Sequence, residues 1–399
     1  MSDLPLLRLR KNEDRRLRSG HLWIFSNEVD IAATPLKGIS PGSLALVENA
    51  RGERLGTAYV NPESLIAARI LNRDSRAPID RHFFIQRLER ARALREWAYG
   101  RPYYRLVYGE SDGLPGLVID RFGDVFVLQT NTAGMERLQE TVLEALDSVF
   151  SPRAVVIKNT SGLRALEGLD SYTRLASGEL AGPVAIEENG ARFLVDPLEG
   201  QKTGWFFDHR DNPATLARWC TGQRVLDLFA YTGAWSMPAA LAGAASVACV
   251  DASTAALELA ADNARLNGVA GRMSFSAADV FDFLKEARAS RQHYDVIVLD
   301  PPAFIKRKKD VAKGLEAYRR LNQAAIQVLA PGGLLVSASC SFHLSRESLH
   351  DVLRASARYL DRHLVFLARG GQAADHPVHP AIPETEYLKA FFCHVGPSL

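Results

Sequence analysis

The stretch Arg224-Val-Leu-Asp-Leu-Phe-Ala-Tyr-Thr-Gly233 decides the fold. Val225 to Phe229 is an apolar run too short for a helix, and the Ala-Tyr-Thr-Gly that follows breaks it as a loop breaks a buried strand. The same pattern returns at Val247 to Val250, Met273 to Ala277, Val296 to Leu299 and Leu334 to Ala338. Between them, Ala255 to Asn267 reads as a helix ended by Asn267-Gly268, and Glu316 to Leu329 as one ended before Pro331-Gly332-Gly333. Strand alternating with helix predicts an α/β architecture, a doubly wound, Rossmann-like parallel sheet over residues 184–399.

Upstream the period changes. Residues 1–75 carry short alternating segments, Leu44 to Glu48, Leu55 to Val60 and Leu65 to Leu71, punctuated by Gly42, Gly52 and Asn61-Pro62, which predicts a small β-barrel. In residues 76–183 Asp80 can cap a helix that lines up Phe84, Leu88, Ala91, Leu94 and Ala98. Arg105 to Tyr108, Leu117 to Asp120, Val125 to Gln129 and Ala154 to Lys158 then alternate as strands, with a helix near Glu136 to Phe150. This predicts a small central α+β domain, joined to the remainder through the polar segment Ser177 to Pro183.

A chain of 399 residues suits two or three cores, and 47% hydrophobic with 24% charged residues excludes a disordered or collagen-like protein. No apolar run reaches the roughly 18 residues of a membrane span, and Leu4 to Leu7 is too short for a signal-peptide core, so a cytoplasmic protein is expected. The cysteines, Cys220, Cys249, Cys340 and Cys393, form no CxxC pair, which removes a disulfide framework and a Cys-rich metal centre; no metal is expected. Net charge is only +2, but six basic residues face two acids between Arg8 and Arg18, and ten arginines face four acids between Arg69 and Arg105. A third basic run extends from Lys306 to Arg320. Local patches on a near-neutral chain suit a protein that holds phosphates at chosen places, although any one run is more simply a solvated face.

In an open parallel sheet, ligands bind beyond the carboxyl ends of the strands. Here those ends carry Asp227 to Gly233, Asp251, Asp279, Asp300-Pro301-Pro302 and Ser339-Cys340-Ser341. The first loop, with Asp227, Phe229, Tyr231, Thr232 and Gly233, lacks the GxGxxG spacing that brings backbone amides onto a pyrophosphate. A phosphate-free nucleoside fits better, and S-adenosyl-L-methionine is one. Asp251 is placed to hold its ribose diol, while Asp279 either accepts from the adenine amino group or merely caps the next helix. Asp300-Pro301-Pro302-Ala303-Phe304 resembles the fourth-strand motif of nucleic-acid methyltransferases. There the prolines stiffen a loop facing the target base, and Phe304 can stack on that base; the plainer reading is an aromatic on an exposed turn.

Cys340 selects the chemistry. Most lone cysteines are buried hydrophobes, the reading adopted for Cys220, Cys249 and Cys393. Cys340 instead lies between two serines at the rim that carries Asp300. Carbon 5 of a pyrimidine is too weak a nucleophile to attack a sulfonium methyl unaided. A thiolate that adds to carbon 6 turns the ring into an enamine whose carbon 5 can attack, and a nearby aspartate offsets charge at the ring nitrogen.

Over essentially its full length the chain resembles the bacterial RlmI-type 23S rRNA cytosine-C5 methyltransferases. The segments that carry the resemblance are His21 to Ser26, Gly109 to Gly116, Lys202-Thr-Gly-Trp-Phe-Phe-Asp-His-Arg210, Phe229 to Gly233, Asp300-Pro-Pro302, Ser339-Cys-Ser341 and Gln372 to Val378. The resemblance implies an N-terminal PUA domain that binds RNA, a central domain and a C-terminal class I methyltransferase domain, with 23S rRNA or a large-subunit precursor as partner. It further implies that Lys202 to Arg210 closes over the cofactor, with Arg210 a partner of its carboxylate or else half of a surface ion pair. Two features depart from the pattern. Ala303 stands where many RNA cytosine methyltransferases have a second cysteine, and the loop Phe304-Ile-Lys-Arg-Lys-Lys309 is unusually basic. A uracil-C5 methyltransferase would show Cys-Asn-Pro where this chain has Cys340-Ser-Phe342, and a non-catalytic RNA-binding assembly factor would have no use for Cys340, Asp300 and the cofactor loop together.

Overall fold

The computed structural model describes residues 4–398. Its chain folds into two compact units: Met1–Val184 with Val195–Phe207 and Ala374–Thr385, and Ala185–Leu194 with Asp208–Ala373 and Glu386–Leu399. The crossing expected near Ser177 to Pro183 falls at Val184, but two later segments return to the first unit.

That first unit holds two five-stranded sheets. One runs in the order Leu6–Arg8, Ser43–Glu48, Arg54–Val60, Ala68–Asn72, Trp23–Ile24 and closes over Leu7, Val47, Ala58, Ile70 and, from the returning segment, Ile382. The other runs Tyr172–Gly178, Ala154–Asn159, Val125–Thr130, Leu117–Phe122, Tyr103–Tyr108 and is covered by the helices Arg81–Ala98 and Gln139–Phe150. Asp80 starts the longer helix by accepting from the Phe83 amide at 3.0 Å.

The arginines between Arg69 and Arg105 divide into two groups. Arg69 pairs with Glu167 at 3.0 Å, Arg95 with Asp112 at 2.5 Å and Arg105 with Asp120 at 2.6 Å, each pair largely buried. These side chains hold the fold and are not available to phosphates, a correction to reading the run as one basic patch. Arg95 and the Arg105 amide also bind Asp375 of the returning segment, at 2.9 and 3.0 Å.

The second unit is built on a seven-stranded sheet. Its strands are β1 (Arg224–Leu228), β2 (Ser246–Asp251), β3 (Met273–Ala277), β4 (Tyr294–Leu299), β5 (Leu329–Ser339), β6 (Arg362–Gly371) and β7 (Lys389–Pro397), in the order β3-β2-β1-β4-β5-β7-β6. Strands β1 to β5 are parallel, as the alternation of strand and helix requires, and β7 runs antiparallel to both β5 and β6. The order reverses at β1, so the β1/β4 edge is the switch point where such sheets bind ligands. The β6/β7 hairpin carries no sequence period of its own. Strand β5 starts at Leu329 and passes through Pro331-Gly-Gly by way of a register shift, where a turn was expected.

The helix Val311–Val328 starts five residues before the expected Glu316. Gly314 is the reason it seats closely: a Cβ there would lie 2.2 Å from Ile305 Cγ1. Helix and fourth-strand loop are thereby pressed together behind β4 and β5.

Candidate active site

The loop after β1 is wound tightly. Phe229 and Tyr231 hold positive φ angles of 64° and 48°, and Gly233 one of 90°, conformations that cost non-glycine residues energy and persist only where the surroundings impose them. The tether is Asp251 at the end of β2. One of its oxygens accepts from the Tyr231 amide at 2.9 Å and the other from Ser253 at 2.8 Å. Asn263 reaches from the following helix to the Thr232 carbonyl at 3.1 Å. The Thr232 hydroxyl is buried without a hydrogen-bond partner, and a Cβ on Gly233 would meet Met237 Cε at 2.8 Å. A strained, glycine-bearing turn with an unsatisfied hydroxyl and a carboxylate beside it suits a polar nucleoside such as S-adenosylmethionine.

Asp227 lies beneath this loop, fully buried, with Ser236 donating to it at 2.5 Å. Burial above all, with the negative charges of Asp300 and Asp251 added, pushes its carboxyl up to about 7. Asp279 is exposed and caps the next helix through the amides of Phe281 and Asp282, at 2.8 and 3.2 Å. Arg210 is buried and donates from Nε to Glu188 Oε2 at 3.0 Å. Lys202 belongs to the first unit, exposed and 4.4 Å above the Phe206 ring.

Asp300, which follows β4, is held on both oxygens. Trp235 donates from Nε1 to Oδ2 at 3.1 Å, and His209 Nε2 lies 3.2 Å from Oδ1. Asn212 fixes the imidazole: its amide nitrogen donates to the Gly371 carbonyl at 3.0 Å, so that nitrogen also donates to His209 Nδ1 at 3.1 Å. The remaining ring proton therefore sits on Nε2, facing Asp300. Pro301 is buried, Pro302 exposed, and the half-buried Phe304 packs on Tyr318 with ring centres 4.9 Å apart.

On the neighbouring strand, Leu299 of β4 is level with Ser337 of β5, so Asp300 and Cys340 leave adjacent strands on one rim. Cys340 is partly exposed, whereas Cys220, Cys249 and Cys393 are completely buried. Burial pushes the Cys220 thiol up to about 12 and the other two higher still. The serines on either side of Cys340 form a scaffold: Tyr318 bonds Ser339 at 2.7 Å and Ser341 at 3.0 Å, and the Ile305 amide donates to Ser341 at 3.3 Å.

Lys389, at the start of β7, is a group that sequence reading missed. It is 5% exposed, donates to the carbonyls of Ser341 (2.6 Å) and Leu344, and forms no ion pair among the described residues. Burial pulls its ammonium down to about 8, while negative charge on Cys340 works in the opposite direction. Lys389 thus sets a buried ammonium against the carbonyls of the loop that follows Cys340, a setting that favours a reactive thiol. His209, Asn212, Trp235 and Tyr318 were missed as well. Asn212 and Tyr318 lie on helices that no local motif marks, while His209 falls within the Lys202–Arg210 segment and Trp235 two residues after Gly233, next to motifs already noted.

Residues 143–382 match the S-adenosylmethionine-dependent methyltransferase family, and residues 7–73 match a PUA-like domain. A Shewanella denitrificans protein named ribosomal RNA large subunit methyltransferase I is 39% identical over 98% of this chain and 99% of its own. A protein of the same name from Cronobacter sakazakii is 37% identical over 97% of this chain and 98% of its own. Among solved structures, a chain described as a methyltransferase and complexed with SAH superposes with a TM-score of 0.83 at 21% identity, covering 98% of this chain and 100% of that one. A chain from Streptococcus mutans, described as SAM-dependent, superposes with a TM-score of 0.81 at 21% identity over the same shares. These likenesses show the fold. No helix among the described residues is long and apolar enough to cross a membrane.

Proposed function

This chain belongs to the ribosomal RNA large subunit methyltransferase I family of S-adenosylmethionine-dependent methyltransferases, and from that membership we propose that it methylates carbon 5 of a cytosine in 23S rRNA, or in its precursor, through a covalent Cys340 intermediate. The bound cofactor supplies an electrophilic methyl group. Asp251, Thr232 and the Phe229–Gly233 turn are the residues we assign to holding it, with Asp227 and Asp279 supporting the turn and the neighbouring helix from below. RNA recognition is assigned to residues 1–75 and the central domain 76–183, and methyl transfer to 184–399.

The observation that carries the reading is the placement of Cys340. Among the cysteines it alone is partly exposed, and it leaves the strand next to Asp300 with Lys389 beneath its loop. The cation favours the thiolate; Sγ adds to carbon 6, and carbon 5 gains the nucleophilicity to take the methyl group. Asp300, clamped by Trp235 and His209, delivers a proton to the ring nitrogen as the thiolate adds, which neutralises the charge that would build there, and takes it back when the ring is restored. Loss of the carbon-5 proton to water and cleavage of the Sγ–carbon 6 bond, with the electron pair returning to sulfur, restore the aromatic ring and the thiolate. We assign to Pro301 and Pro302 the stiffening of the loop, and to Phe304 contact with a base turned out of its stack.

RNA carrying 5-fluorocytosine tests this, because after methyl transfer fluorine cannot leave as a proton does and the adduct is trapped. Denaturing gels should show a protein–RNA adduct with the natural chain and none with Cys340→Ala, which also loses methylation while binding the cofactor normally. An adduct that survives in Cys340→Ala, or methyl groups on an exocyclic nitrogen, would overturn the carbon-5 mechanism.

A further inference from the structure

Within the first unit lies a cavity of about 730 Å³, inside the range of roughly 300–1,000 Å³ typical of ligand clefts. Its wall includes Arg73, Arg87, Arg90, Leu94, Trp97 and Ser111. Arg87, Arg90, Leu94 and Trp97 follow the helical repeat along one face of Arg81–Ala98, so a single stripe of that helix lines the cavity.

The chemistry of this wall is unusual in two respects. Unlike Arg69, Arg95 and Arg105, the guanidinium groups of Arg73, Arg87 and Arg90 have no ion-pair partner among the described residues. Arg73 and Arg87 donate to backbone carbonyls, of His21 at 3.3 Å and Leu71 at 3.4 Å, and Arg87 also lies 5.1 Å from the centre of the Phe83 ring. Burial and the nearby charge of Arg90 lower the pKa of Arg87, the signature of cations gathered without an anion. Two carboxylates also line the cavity, but Asp112 is bound by Arg95 and Glu110 accepts from Trp23 at 2.9 Å. The Ser111 hydroxyl is buried without a partner. The second respect is Trp97, an indole 86% exposed beside Leu94, itself 41% exposed. Singly exposed apolar side chains are ordinary; what singles out Trp97 is that its indole stands beside three arginines without carboxylate partners on the wall of one cavity.

We propose that this cavity binds one unpaired nucleotide of the RNA, its phosphate on Arg73, Arg87 and Arg90 and its base stacked on Trp97. An acidic peptide would satisfy the arginines but not the indole, which offers a flat face for a base of any identity. Such a site reads no sequence; it grips single-stranded RNA through one nucleotide. The inference rests on RNA being the substrate.

The test measures binding of a short fluorescent single-stranded RNA of mixed sequence to the full-length chain, to Trp97→Ala and to Arg87→Gln/Arg90→Gln. Trp97→Ala should weaken binding roughly 5- to 100-fold, the equivalent of one stacked base. The double arginine variant should lower the log–log salt slope by about 0.7 for a lost single-strand phosphate contact. Cofactor affinity should stay the same in both, and a polyglutamate competitor should not displace the RNA. If the natural chain binds RNA and the variants bind it equally well, the site is refuted and the RNA reading stands. Displacement by polyglutamate, with Trp97→Ala unchanged, would point to an acidic protein partner instead. A natural chain with no salt-dependent affinity for RNA would overturn both.

Discussion

In the first unit Lys158 reaches into the loop after Val195 and donates to the carbonyls of Pro197, at 3.1 Å, and Gly200, at 2.5 Å. In the second, Lys389 does the same for Ser341 and Leu344. Both lysines are almost fully buried, both are strand residues, and neither forms an ion pair among the described residues. Their electrostatic settings differ. Burial lowers the pKa of Lys158, and the carboxylates of Asp196 and Glu199 work against that shift. Lys389 is driven down to about 8, with Cys340 the foremost source of compensating negative charge and Arg346 opposing it. The same carbonyl cradle thus fastens a loop in one place and leaves a cation for a thiol in the other. Asp227, buried under the cofactor turn with one oxygen unpartnered, is a second unmatched charge in the same unit. Perturbed groups of this kind gather where chemistry is done.

If unmatched charge is the mark of the second unit, Asp227 should show it most strongly. Its folded pKa of about 7 lies above the ordinary 3.8, so the folded state holds the proton more tightly than the unfolded chain. Stability should therefore fall as pH rises from about 4 to about 7 and stay flat above, by up to about 4 kcal/mol. Asp227→Asn, always neutral, should lack this fall; urea unfolding across that range in both proteins would reveal it. Parallel curves would mean that Asp227 is matched after all.

Lys389→Met comes next. Without the ammonium, the pH midpoint for alkylation of Cys340 by iodoacetamide should rise by about one unit, and methyl transfer near pH 7 should fall about tenfold. Lys389→Arg should restore part of both. An unchanged midpoint would reduce Lys389 to a loop fastener like Lys158.

The smallest effect is expected from Lys158→Met. It removes two hydrogen bonds and a buried charge together, terms that largely offset, so unfolding free energy should change by only about 1–2 kcal/mol. Cys340 alkylation should not change at all. A shift there would break the contrast between the two lysines.

Much of this was legible in the chain itself. The runs that became β1 to β5 could be read from apolar segments ending in Asp, Gly or Ser, because buried parallel strands leave that imprint. Cys340 and Asp300 stood out because reactive residue types followed those runs. Lys389 did not, since a lysine at the start of an apolar strand looks like an ordinary solvated end; only the antiparallel insertion of β7 beside β5 buries it next to Ser341. Nor could the sequence separate Arg95 and Arg105 from Arg87 and Arg90. The difference is whether Asp112 or Asp120 faces the guanidinium, a matter of tertiary pairing.

The segment Ala374–Thr385 bears on how the protein is made. It lies between β6 and β7, yet it supplies Ile382 to the core of the first sheet and Asp375 to Arg95 and Arg105. Chains generally fold from the N-terminus as they leave the ribosome. Here the earliest-synthesised unit waits, with part of its core open, until six of the seven strands of the methyltransferase sheet have been translated and only β7 is still to come. Premature termination before Ile382 would yield not one finished domain and one missing, but two that are both incomplete.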